Sequence, residues 1–258
     1  METRSRIAVV GATGRAGRHV VDVLRERGYE AVPISRSIGV DVISGEGLEA
    51  ALTGIECIID VSSTPSPEQH EATEFFTTSA RNLHEAGVKA GVNRMVVASI
   101  IGIDASIAGY NAAKLAHEQA VLAGPLPVRI LRAAQFHEFV AELASWGIQG
   151  DVCYVPRMRT QLIAARAVAE ALVDLATGDG PVTESPGTPF AEVAGPREEN
   201  LAAMAELALA RRGLDVRIEE VSDPANPDRD IFENGALLPS PHATLAGPTY
   251  RDWLDVQA

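Results

Sequence analysis

Residues 7–17 read I-A-V-V-G-A-T-G-R-A-G. Four apolar residues, rich in β-branched side chains, run straight into three glycines, Gly11, Gly14 and Gly17, at G-x-x-G-x-x-G spacing. An amphipathic stretch, Arg15 to Arg27, follows at once. Strand, glycine turn and helix in that order make the opening of a βαβ unit. Gly11 permits the tight turn, Gly14 lets backbone approach a pyrophosphate, and Gly17 allows close packing of helix on strand. The helix N-terminus offers N–H groups to phosphate. Thr13, Arg15 and Ala16 belong to the same loop and are taken as part of the candidate dinucleotide site.

Outward from this unit the alternation repeats. Arg6–Val10, Glu30–Ser35, Cys57–Ser63, Arg94–Ile100 and Val128–Ala133 read as strands, with apolar runs suited to burial on both faces. Between them Glu46–Leu52, Glu68–Ala90 and Asn111–Leu122 read as helices. The order predicts an α/β protein with a Rossmann-like, doubly wound parallel sheet. From His137 onward the pattern loosens into a helix (Glu138–Gly147), a short strand (Val152–Val155) and a helix (Ala164–Ala176). A Gly/Pro-rich loop, Gly178–Pro189, a short strand ending at Gly195-Pro196, a helix (Glu198–Arg212), a strand (Val216–Val221) and a proline-rich tail complete the chain. The expected organisation is a core over 1–136 and a smaller α+β substrate lobe over 137–258, interwoven as one domain with no linker.

Composition excludes several classes. A chain of 258 residues that is 46% apolar can bury a large core. Its formal net charge of −13 argues against nucleic acid or an anionic membrane as partner, since both reward clustered Lys and Arg. No secretion signal or membrane-length apolar run is read, so a cytoplasmic protein, monomer or homodimer, with a small-molecule substrate is expected. Cys57 and Cys153 lack C-x-x-C spacing and are expected to be small buried residues. The six histidines contain no H-x-x-x-H pair, so no metal site is expected.

The second strand ends V-P-I-S-R-S, without the acid that would accept from a ribose 2′-hydroxyl. Ser35 and Arg36 instead suit a 2′-phosphate, which points to NADP over NAD. Asp41 and Val42 are candidates to flank the adenine, and Ser62 and Ser63, at the carboxyl end of the 57–63 strand, to line the cofactor crevice.

Residues 109–114 read G-Y-N-A-A-K. A helix there brings Tyr110 and Lys114 onto one face, roughly 6 Å apart along the axis. Ser99 precedes them near the end of the strand R-M-V-V-A-S-I. These residues, with G-A-T-G-R-A-G, V-V-A-S-I-I-G-I-D, G-Y-N-A-A-K-L-A-H-E, L-R-A-A-Q-F-H-E-F and Y-R-D-W-L, resemble the atypical short-chain dehydrogenase/reductase (SDR) family, the group that includes the NmrA-like proteins. The resemblance implies that Tyr110 acts as acid/base toward a carbonyl, that Lys114 lowers the phenol's pKa and holds the nicotinamide ribose, and that Ser99 orients the substrate oxygen, with Ser106 a competing serine. It implies an NADP-dependent oxidoreductase acting on a small carbonyl or alcohol. An NmrA-like redox sensor without turnover, or an isomerase or lyase on the same scaffold, are the alternatives.

The family's further catalytic asparagine has only Asn82 as a loose counterpart and is left unassigned. Arg166 stands where relatives carry an acid, which puts a helix-start cap in doubt. For the substrate wall, Phe136, His137, Phe139, Trp146 and Tyr154 are the candidates.

Overall fold

A computed structural model describes residues 5–178 and 189–257. The elements of its first part are β1 (Arg6–Val10), α1 (Gly17–Glu26), β2 (Glu30–Ile34), α2 (Leu48–Ala51), β3 (Cys57–Asp60), α3 (Gln69–Ala90), β4 (Arg94–Ile100), α4 (Gly109–Leu122) and β5 (Val128–Ala133). Then follow α5 (His137–Trp146), β6 (Ile148–Gln149), β7 (Val152–Pro156), β8 (Arg159–Thr160), α6 (Ala165–Thr177) and β9 (Ala191–Ala194). The last are β10 (Glu199–Asn200), α7 (Leu201–Arg211), β11 (Arg217–Val221), α8 (Arg229–Glu233), β12 (Thr244–Leu245) and α9 (Tyr250–Asp255). The expected loop Gly178–Pro189 lies, apart from its two end residues, outside the described residues.

The chain groups into two compact units. The first takes the chain up to Ser99, Ala108–Arg132 and Val168–Ala191; the second takes Ile100–Ile107, Ala133–Ala167 and the chain from Glu192 onward.

In the first unit the strands lie in the order β5-β4-β3-β1-β2. β1 pairs in parallel with β2 and β3, and β3 with β4. The order reverses between β1 and β3, which is where a doubly wound sheet opens a crevice at its carboxyl edge. Register aligns the ends of these strands: Asp60 sits opposite both Val10 and Val97. Ala8, Val10, Ile34, Ile58, Met95, Val97 and Ile130, from all five strands, are buried together with Leu83 of α3 and Val121 of α4. Near the far ends of those two helices His84 Nε2 bonds the Val121 carbonyl at 2.9 Å, and its Nδ1 accepts from the Leu126 amide at 3.2 Å. Burial lowers its pKa, so this histidine is a neutral structural clamp.

Three boundaries differ from expectation in ways that matter. The strand expected over Cys57–Ser63 ends at Asp60, because the Asp60 carboxylate accepts from the Ser62 amide at 2.8 Å and turns the chain out of the sheet. The helix expected from Asn111 starts at Gly109, whose preceding residue Ala108 is extended, so Tyr110 stands inside the first helical turn. The helix expected over Glu198–Arg212 also starts later. Glu199–Asn200 instead pair antiparallel with Arg159–Thr160, and the Asn200 side chain caps α7 by accepting from the Ala203 amide at 2.8 Å.

The second unit holds β7 between β6 (antiparallel) and β11 (parallel), with β9 and β12 paired in parallel. Its core joins Val140 and Ala144 of α5, Val155 of β7, Ala205 and Leu209 of α7, and Tyr250. Arg166 does not leave α6 uncapped: the Glu138 carboxylate accepts from the Ala165 amide at 3.1 Å. His137 is fully buried, its ring edge-on to Tyr250 and to Trp253 at 5.4 and 5.3 Å. Burial lowers its pKa from 6.5 to about 4, so it stays neutral in the fold where the unfolded chain takes up a proton. Its contribution to stability is therefore present above pH 6.5 and lost as pH falls from there through about 4. His137→Phe should show a shallower decline of its urea midpoint than wild type between pH 6.5 and 4.5, and parallel curves would place the acid sensitivity elsewhere.

Candidate functional site

The site builds up at the carboxyl edge of the first unit's sheet. Gly11 has φ +78°, and a Cβ there would lie 2.9 Å from the Val61 carbonyl oxygen and the Ser62 Cα. The turn after β1 is thus pressed against the turn after β3, and only glycine fits both the angle and the gap. A Cβ on Gly17 would sit 2.0 Å from the Gly11 carbonyl oxygen, which fixes how closely α1 begins against the loop. Gly14 differs. It is exposed, and its Cβ would meet only the Gly11 carbonyl oxygen, at 3.2 Å. No side chain caps the start of α1, and its first turn carries no acid. A backbone cradle open at Gly14, in front of an uncapped helix start, fits a dinucleotide pyrophosphate.

Around this cradle Thr13 and Arg15 are exposed and Ala16 is buried. Ser35 lies at the end of β2, its hydroxyl 2.8 Å from that of Ser37, with Arg36 exposed beside it. Asp41 accepts from the Ile43 amide at 2.8 Å, and Val42 is buried in the core beneath. Asn82 donates to the carbonyls of Val42 and Ile43, both at 2.8 Å, so it braces this loop.

Tyr110 and Lys114 lie one turn apart on α4, and their surroundings differ. The Tyr110 hydroxyl is 2.9 Å from the Ser63 hydroxyl, in the turn beyond β3, and its ring stands edge-on to Phe76 at 5.6 Å. Burial raises the phenol's pKa, and the Asp60 charge adds to this, while Ser63 and the Arg15 guanidinium pull it down. Lys114 is 5% exposed. Its ammonium donates to the Ala98 carbonyl at 2.8 Å, lies 3.0 Å from His117 Nδ1, and sits 4.6 Å from the centre of the Phe76 ring. Burial lowers its pKa to about 8, against the pull of the Asp60 and Glu118 charges. Lys114 is not among the groups that shift the phenol: its ammonium is turned to Ala98 and His117. The Ser99 hydroxyl is buried without a hydrogen-bond partner among the described residues, as is that of Ser62. Ser106, its hydroxyl likewise unpaired, belongs to the second unit.

Behind these residues lie charged groups that the sequence reading did not single out. His117 Nε2 approaches Asp60 Oδ2 at 3.4 Å, and its ring stacks on Phe76 at 4.8 Å. Burial alone would raise the Asp60 pKa, but His117 and Ser62 overcome it and hold the carboxyl below its ordinary value. Glu118 takes a bidentate hold on Arg132 of β5, at 2.9 and 2.8 Å, and Phe190 covers the guanidinium at 4.8 Å. The one sequence signal for His117 was its spacing from Lys114, three residues on along the same helix.

The candidate substrate-wall residues all lie in the second unit. Phe136 bridges to Ile163, Phe139 meets Trp146 edge-on at 5.5 Å, and Tyr154 lies half-buried in β7. Trp146 is 66% exposed, and His137 is part of that unit's core.

The architecture is a Rossmann-like fold, shared with solved nucleotide-sugar epimerases and reductases. MoeE5, solved with UDP-glucuronic acid and NAD, superposes with a TM-score of 0.69 at 19% identity, over 98% of this chain and 100% of that one. A dTDP-4-dehydrorhamnose reductase from Bacillus anthracis, solved with NADP, gives 0.69 at 16%, over 98% of each chain. At such identities the likeness is one of fold. In sequence, a ceramide reductase of Caulobacter vibrioides is 29% identical over 146 residues, 51% of this chain and 46% of that protein. The chain thus matches under half the length of the curated relatives. No family model matches the sequence.

Proposed function

We propose that this chain is an NADP-dependent oxidoreductase of the atypical SDR type, which transfers hydride between the nicotinamide and a small carbonyl or alcohol compound. The observation that carries the reading is the half-buried Tyr110 hydroxyl beside Ser63 at the sheet's carboxyl edge, one helical turn from a buried lysine. Gly11, Gly14 and Gly17 with the start of α1 would hold the pyrophosphate, Ser35 and Arg36 the 2′-phosphate, and Ser62 and Ser63 the crevice wall. When bound, the cofactor supplies the hydride. The chain's own part is to hold the carbonyl through the Ser99 hydroxyl and to give it a proton from Tyr110 Oη as charge develops on oxygen. A phenol raised by burial is protonated at neutral pH, the state an acid requires.

One relative bears on the reading. The Caulobacter ceramide reductase, 29% identical over 146 residues, is a reductase by name and supports reduction over binding alone. The inward turn of Lys114 favours the rival reading, an NADP-binding sensor that turns nothing over. NADPH oxidation across a panel of small carbonyl compounds separates the two: tight NADPH binding with no turnover on any member selects the sensor. Product analysis would reveal an isomerase or lyase.

For the cofactor, NADPH is expected to bind more tightly than NADH, because an exposed Arg36 with no acid at the end of β2 suits a phosphate. Arg36→Asp should reverse the order in isothermal titration. Equal affinities in the wild type would remove Arg36 from the site.

A further inference from the structure

The buried groups behind Tyr110 form a polarised chain. A charged lysine has three donors and no acceptor. With the Lys114 ammonium 3.0 Å from His117 Nδ1, that nitrogen must be bare, so the ring's proton lies on Nε2 and faces Asp60 Oδ2 at 3.4 Å. Asp60 is held as a carboxylate by this imidazole and by the Ser62 amide. The pieces come from different elements: Asp60 from the end of β3, His117 and Lys114 from α4, and the Ala98 carbonyl from β4. Phe76 of α3 presents only its ring, against the ammonium at 4.6 Å and the imidazole at 4.8 Å. The remaining charge near Lys114 is Glu118, which is occupied by Arg132 of β5.

We propose that Asp60 and His117 are positioning residues for Lys114: the carboxylate fixes the imidazole with its proton on Nε2, and the bare Nδ1, together with the Ala98 carbonyl, keeps the lysine charged and turned into the protein. This deepens the proposed function and rests on it for its meaning in catalysis, though its test needs neither substrate nor cofactor. Arginine cannot take the lysine's place, because its wide planar fork does not fit between one carbonyl and one ring nitrogen. The device also explains why a cation is tolerated at 5% exposure, with Asp60 supplying the opposite charge within the same interior.

The sequence makes the test direct, because Lys89 and Lys114 are its only two lysines. Protein grown with ¹³Cε-lysine gives two side-chain signals, and the exposed Lys89 serves as internal reference. In the wild type the Lys114 signal should titrate with a midpoint near 8. Asp60→Asn removes the counter-charge and should move that midpoint down by on the order of one pH unit. His117→Phe keeps a stacking ring but removes the acceptor, and should move it the same way. His117→Gln restores an acceptor for Nζ and a donor toward Asp60, and should bring the midpoint back toward wild type. A midpoint unmoved by Asp60→Asn overturns the proposal, as does a glutamine variant that behaves like phenylalanine. Should His117→Phe not fold, Asp60→Asn alone decides. Failure to find a carbonyl substrate leaves these titrations unaffected, so the two readings fail separately.

Discussion

Tyr110→Phe is expected to fold, to bind NADPH as the wild type does, and to reduce its carbonyl substrate about 10²-fold or more slowly. The ring remains, so the edge contact with Phe76 at 5.6 Å survives, and what is lost is the hydroxyl with its single bond to Ser63. The decisive measurement is a pH–rate profile of both proteins. Loss of the limb assigned to the phenol, together with the lowered rate, identifies Tyr110 as the proton donor. Full activity with an unaltered profile assigns the proton to a different group, and Ser63, whose hydroxyl lies 2.9 Å from that of Tyr110, becomes the next to test.

The second large effect separates Gly14 from Gly17 along the different roles that their positions in the loop predict. Gly14→Val should leave the protein folded while weakening NADPH binding by about tenfold or more, since its side chain points where only the Gly11 carbonyl oxygen comes within 4 Å and the proposed pyrophosphate approaches. Gly17→Ala should instead cost stability, roughly 1–3 kcal/mol or more, because even a methyl group would lie 2.0 Å from backbone oxygen. Titration calorimetry and urea unfolding on both variants check this. Unchanged cofactor binding by a folded Gly14→Val protein would mean that the loop serves another purpose.

The fold of the first unit was largely legible in the chain because each strand is a short apolar run bounded by turn residues. The alternation with helices then allows few topologies. The end of β3 lies three residues before the expected one, since β-branched Val61 follows Asp60 and the sequence does not show that the carboxylate takes the Ser62 amide and bends the chain. The two-residue strands β6, β8, β10 and β12 carry no pattern long enough to detect, and their partners are set by tertiary packing. Tyr110, Lys114 and Ser99 could be picked out from spacing and resemblance. Asp60 and His117 could not, because their meeting depends on strand register and on how α4 lies over the sheet. An aspartate closing an otherwise apolar strand was the available hint: such a charge needs a partner, and the partner was a histidine 57 residues along the chain.

The fork between Arg132 and Glu118 has a mechanical meaning for the helix face that carries Tyr110. Tyr110, Lys114 and Glu118 follow one another at four-residue intervals along α4, so the guanidinium acts as a key in a slot, preventing the cylinder from turning about its own axis. A rotation of one residue's worth, about 100°, would swing the phenol off the sheet's edge altogether. The angular placement of the Tyr110 hydroxyl is thus anchored two turns away. If Tyr110 is the proton donor proposed above, Arg132 and Glu118 are the bearing on which its aim depends.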